Sequence, residues 1–193
     1  MKPSTKYIIF TVSFFVTFSC IFEALSDDDH NKKRYRYRGG RQKIDDDRND
    51  HDNNDHFKPV TNQTYKETCG ECHFAYQPGL LPSSSWLKIL NQLDNHFGGE
   101  IVTDSATIKN ISDYLETNSA ENSSAERSLK IMRCLGGQVP MRITDIPYIR
   151  KKHHDLDPDI FKRKSIGSFS NCIACHTTAE NGIYDDDDVK IPE

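Results

Sequence analysis

Apolar residues are scarce in this chain. Of its 193 residues 35% are hydrophobic, with one tryptophan and three methionines. Part of the chain is therefore expected to bury no core at all, and the rest suffices for one or two small domains. No apolar run reaches the roughly 20 residues that a membrane-spanning helix needs. The longest, residues 7–22, is "YIIFTVSFFVTFSCIF", and membrane association is expected to be peripheral at most. Positive charge is not in excess either: the net charge is −4, which argues against nucleic acid as a partner. A strong alternation of apolar and polar residues is also missing, so no sheet is expected.

What is present at the start reads as an export signal over 1–26. Lys2 and Lys6 precede the apolar run, and Ala24 and Ser26 are small residues ahead of a cut before Asp27. The expected location is the periplasm. Residues 27–57 then mix acidic and basic blocks with almost no aliphatic side chains. Such a segment buries too little surface to offset its ordering entropy, so a disordered leader is expected. His30, His51 and His56 fall in it and are read as inert.

From residue 58 onward the pattern is helical. "PSSSWLKILNQLDNHF" carries Trp86, Ile89, Leu90, Leu93 and Phe97 at helical spacing, with a serine cap at Ser83 or Ser84 and a stop at Gly98–Gly99. "TDSATIKNISDYLETN" sets Ile108, Ile111 and Leu115 on one face, and "SSAERSLKIMRCL" gives a shorter helix ending at Gly136. "QVPMRITDIPYI", punctuated by proline, reads as a linker or an extended crossing segment. The fold class is all-α with long loops, and its poor core suggests that something other than side chains fills the middle.

Four of the six cysteines are used twice in one pattern, Cys-x-x-Cys-His: Cys69, Cys72 and His73 in "ETCGECHFAY", then Cys172, Cys175 and His176 in "SNCIACHTTA". A thioredoxin-like dithiol would need a βαβ frame that is absent. A zinc site could use two such pairs, but these are far apart in sequence. A disulfide within one pair closes a very short loop and stabilises little. Covalent haem explains every residue: the two thiols add to the haem vinyl groups and the following histidine takes the iron. Two motifs imply two covalently attached haem c groups, with Cys69, Cys72, Cys172 and Cys175 as attachment points and His73 and His176 as proximal ligands.

Each iron has a second axial face. The remaining candidates in 58–193 are His96, His153, His154, Met132 and Met141. His96 stays near the apolar stripe of its helix and is the best of them for the first iron. For the second, spacing alone does not choose between His153 and His154; Met141 is a weaker rival, and Met132 fits better as core. Cys134 has no partner in this part and is expected as a buried free thiol.

The residues quoted resemble a known family, the dihaem cytochromes c. The likeness covers roughly residue 65 to the end and rests on "CGECHFAYQPGLLPSSSWLKIL", "LDNHFGGE", "RITDIPYI", "NCIACHTTAENGIY" and the closing "VKIP". The resemblance implies two small haem-binding domains, an N-terminal one like a class I cytochrome c, here 58–120, and an irregular one with long loops, here 121–193. It implies histidine on both faces of each iron, His96 for the first and, from "KHHDL", His153 for the second. A non-enzymatic electron shuttle follows. Its implied partners are redox proteins, such as a monohaem oxygen-binding cytochrome or a membrane b-type cytochrome. A haem enzyme or redox sensor with one opened iron is the alternative.

Overall fold

The computed structural model describes residues 55–193. The expected signal peptide and nearly all of the expected leader lie outside the described residues. Within them the chain is helical, with short 3-10 turns and no named strand. The helices are α1 (Gln63–Cys69), α2 (Ser83–Leu90), α3 (Ser105–Thr117), α4 (Glu126–Leu135) and α5 (Pro147–Lys152).

Local chemistry explains their ends. The Asn62 side chain accepts from the Tyr65 N–H and starts α1. Asp104 does the same for α3, accepting from Ala106 and Thr107. Helix α4 closes on Gly136, whose φ of 53° is the left-handed geometry that glycine adopts without strain. Helix α5 opens on Pro147 and ends in Arg150, Lys151 and Lys152, an arrangement suited to the helix dipole. It begins in the last three residues of the stretch expected to be linker, and α1 was not anticipated at all.

Two expectations for α2 are corrected. No serine caps it: Pro82 precedes the helix, and the exposed Ser83 N–H and hydroxyl instead donate to the carboxylate of Glu121. The helix also stops at Leu90 rather than continuing to Phe97. Asn91, Asp94 and Asn95 are poor at holding a helix against local turns, and the chain turns through a 3-10 segment at Leu93–Asn95.

Helix α2 packs on α3, and α4 packs on α5. The buried cluster includes Leu81, Trp86, Ile111, Leu115, Ile131, Leu135, Ile146 and Tyr148, and so crosses position 120. It also takes in Phe57, 4% exposed, whose N–H donates to the Gly182 carbonyl at 3.1 Å. The packed part thus begins slightly before residue 58. The His56 ring lies 3.2 Å from Asp185. Cys134 is partly buried against the cluster and disulfide-bonded, not a free thiol. Beyond α5 only Ile166, Ala179 and Gly182 are buried.

Ile131 is completely buried between these helices. Its replacement by alanine removes three carbons from a packed site and is expected to cost about 2–5 kcal/mol. Urea denaturation of the holoprotein checks this as a lower midpoint with unchanged slope.

Candidate functional site

Cys69 is the last residue of α1, so the helix delivers the first motif. Gly70 follows as its cap, and a Cβ there would meet the Lys66 carbonyl oxygen at 2.2 Å. Only glycine fits that turn. His73 then anchors its Nδ1 on the Phe74 carbonyl at 2.8 Å, which leaves Nε2 as the nitrogen available to a metal.

His96 lies beyond the end of α2, on the small turn closed by its bridge with Gly99. Phe97 takes a φ of 55° and Gly98 one of 98°, and the Arg142 guanidinium covers the Phe97 ring at 4.0 Å. This turn sets the His96 and His73 rings face to face, with centroids 6.4 Å apart and planes 26° apart. Cys72 and His73 are exposed at this site, while Cys69 and His96 are partly buried.

The second motif forms a 3-10 turn, Cys172–Ala174, closed by the His176 N–H donating to the Cys172 carbonyl at 2.8 Å. His153 sits at the end of α5 with its Nδ1 on the Ile149 carbonyl at 2.8 Å. Its ring faces His176 at 6.0 Å, the planes crossing at 75°. His154 is engaged elsewhere: Nδ1 on the Lys151 carbonyl and Nε2 on Asp155 at 2.9 Å. Between the second pair lies a cavity of about 310 Å³, walled by Tyr148, Ile149, Phe161, Ile166, Phe169 and Tyr184 and reached by Cys172 and Cys175.

These spacings test the fit of the cofactor. A metal–imidazole bond is about 2 Å long and the ring centre lies about 1 Å further, so two imidazoles on opposite faces of one metal place their centroids about 6 Å apart. Both pairs meet that distance. Among the described residues no three His, Cys, Asp or Glu side chains converge on a point for one ion, which leaves the four-cysteine zinc reading without a site. A porphyrin supplies its own four nitrogens and needs only the axial two. The four motif cysteines are free, so neither pair is a disulfide. Burial pushes the Cys69 and Cys172 thiols up to about 11, the opposite of the lowered values that redox dithiols use. Burial, then the facing His73 and then Arg142, holds His96 below the usual imidazole range; burial, then His153, does so for His176. Neutral imidazole is the form that binds metal.

Three residues at the site were not anticipated. Tyr76 stacks near His73 at 4.9 Å, Tyr184 packs on His176 at 5.4 Å, and Gln77 lies fully buried between them and the second motif.

A family model described as dihaem cytochrome c matches residues 65–184. The fold is similar to a diheme cytochrome c from Rhodobacter sphaeroides, with 36% identity over 66% of this chain and 99% of that one and a TM-score of 0.58. It is also similar to the diheme c-type cytochrome of Shewanella baltica OS155, with 33% identity over 68% and 93% and a TM-score of 0.56. Among curated proteins none matches.

Proposed function

Since the chain belongs to the dihaem cytochrome c family, whose members carry two haem c groups, we propose that it is an exported electron shuttle holding each iron between two histidines. The observation that carries this reading is the matched spacing of the paired rings, 6.4 Å for His73 and His96 and 6.0 Å for His153 and His176. Bound haem supplies one-electron chemistry by cycling its iron between ferric and ferrous.

The chain's own residues do the rest. Cys69, Cys72, Cys172 and Cys175 anchor the groups covalently. With haem bound, His73 with His96 and His153 with His176 would hold the two irons and deny the metal to substrates. The carbonyls of Phe74 and Ile149 fix the Nδ1 protons of His73 and His153, so that Nε2 is presented. Apolar walls around the second pair exclude water. Histidine in place of a thioether ligand favours low potentials. The proposed partners are other redox proteins, of the kind of a monohaem oxygen-binding cytochrome or a b-type membrane cytochrome. Among the described residues no helix is long and apolar enough to cross a membrane.

The test is the fully reduced holoprotein under carbon monoxide. Two closed irons predict a visible spectrum unchanged by the gas and full reversibility on reoxidation. A shifted Soret band from either haem would instead support a haem enzyme or sensor with an open site.

A further inference from the structure

The segment that leaves the first motif is tied into the second site. Gln77 lies four residues after His73 and is 0% exposed. Its amide nitrogen donates to the Ala179 carbonyl at 2.5 Å and to that of Glu180 at 3.4 Å. Its amide oxygen accepts from the Tyr184 hydroxyl at 2.7 Å. One residue earlier, the Tyr76 hydroxyl donates to the Ser170 carbonyl at 2.6 Å. Two consecutive residues of the first half therefore hold the second motif on its entry side and on its exit side.

Tyr184 is where this bracing meets the site. Its ring packs on the His176 imidazole, 5.4 Å between centroids and 59° between planes. The tyrosine itself has little freedom. Phe57 meets its ring edge-on at 5.8 Å. Arg127 donates to its carbonyl at 3.2 Å and is paired with Asp55 and Asp185. His153 has a backbone anchor at Ile149, whereas among the described residues no protein group hydrogen-bonds the His176 ring. The rotation of that ring is left to what packs against it.

We propose that Gln77, acting through Tyr184, is a positioning residue that sets the rotation of the His176 imidazole and with it the crossed arrangement at the second site. This rests on the reading that His153 and His176 hold an iron. The consequence is electronic. Two axial imidazoles with parallel planes both act on the same iron d orbital and split it from its partner. Crossed planes act on one orbital each and leave the two nearly equal. Electron paramagnetic resonance of the ferric protein separates these cases, since parallel planes give a rhombic three-line signal and crossed planes a single broad low-field feature. A buried glutamine that merely satisfies its own hydrogen bonds would affect stability alone.

The test compares holoprotein with Tyr184→Phe, which removes only the hydroxyl, and with Gln77→Met, which keeps the length but makes no amide bonds. Both variants are expected to retain two low-spin haems and an unchanged rhombic signal from the first site. The low-field feature of the second site is expected to be lost or displaced toward the rhombic pattern. A low-field feature at its parental position in Tyr184→Phe overturns the proposal, and that variant decides alone if Gln77→Met does not mature. A parental protein lacking any low-spin signal from the second site would overturn the paired-histidine reading itself, and this proposal with it.

Discussion

Replacing His153 by alanine is expected to open the second iron. One of the two haems should turn high-spin and bind carbon monoxide on reduction, while the other stays low-spin. Neither Met141 nor His154 is placed to substitute. Met141 lies against the helical core. His154, the adjacent residue, has both ring nitrogens committed, to the Lys151 carbonyl and to Asp155. The apolar cavity walls Ile149, Phe161 and Phe169 carry no donor atom in their side chains. His154→Ala is expected to leave both irons closed. The reverse pattern, an open iron in His154→Ala and two closed irons in His153→Ala, would assign the ligand to the neighbouring position. Parallel visible spectra of the two variants under carbon monoxide read the difference directly.

Removing the second pair of thiols, Cys172→Ser with Cys175→Ser, is expected to halve the covalent haem, from two groups per chain to one. A pyridine haemochrome count and the mass of the intact protein check this. The loss should also loosen the C-terminal part. Beyond α5 only Ile166, Ala179 and Gly182 are buried, and Ile166 lines a cavity of about 310 Å³. A group that fills it in the folded state alone stabilises that state by mass action and by contact. Limited proteolysis of the double variant should therefore cut preferentially within 153–193, with 58–120 protected. The matching pair, Cys69→Ser with Cys72→Ser, should lose the other haem and leave α4 and α5 packed on each other, where Ile131, Leu135 and Tyr148 are buried.

How much of this was legible in the residues depends on how local the signal is. The motifs are local: cysteine, cysteine and histidine at fixed spacing define the chemistry before any fold exists. Helices α3 and α4 are local too, because Asp104 and Gly136 mark their ends and the apolar positions between them repeat at helical spacing. Helix α5 was legible in principle from proline at its first turn and three basic residues in its last, but the prolines around it were read as breaks. The path to His96 was not legible. Periodicity continued the apolar stripe through Leu93 to Phe97, whereas Asn91, Asp94 and Asn95 end the helix and a turn with a left-handed Phe97 supplies the histidine. Phe57 and His56 were hidden because the charged composition around them outweighed two residues that find partners near the far end of the chain, at Gly182 and Asp185. Gln77 and Tyr184 lie inside the strings that carry the resemblance, but no local pattern marked either as part of a site. A polar side chain becomes part of a site through its partner, and theirs are 107 residues apart.

The central claim is that two irons are each closed by two imidazoles, near-parallel at the first site and crossed at the second. Electron paramagnetic resonance of the oxidised holoprotein, integrated against its haem content, tests it most directly. The account predicts two low-spin irons per chain, one rhombic and one with a broad low-field feature. A high-spin signal amounting to one iron per chain would contradict it.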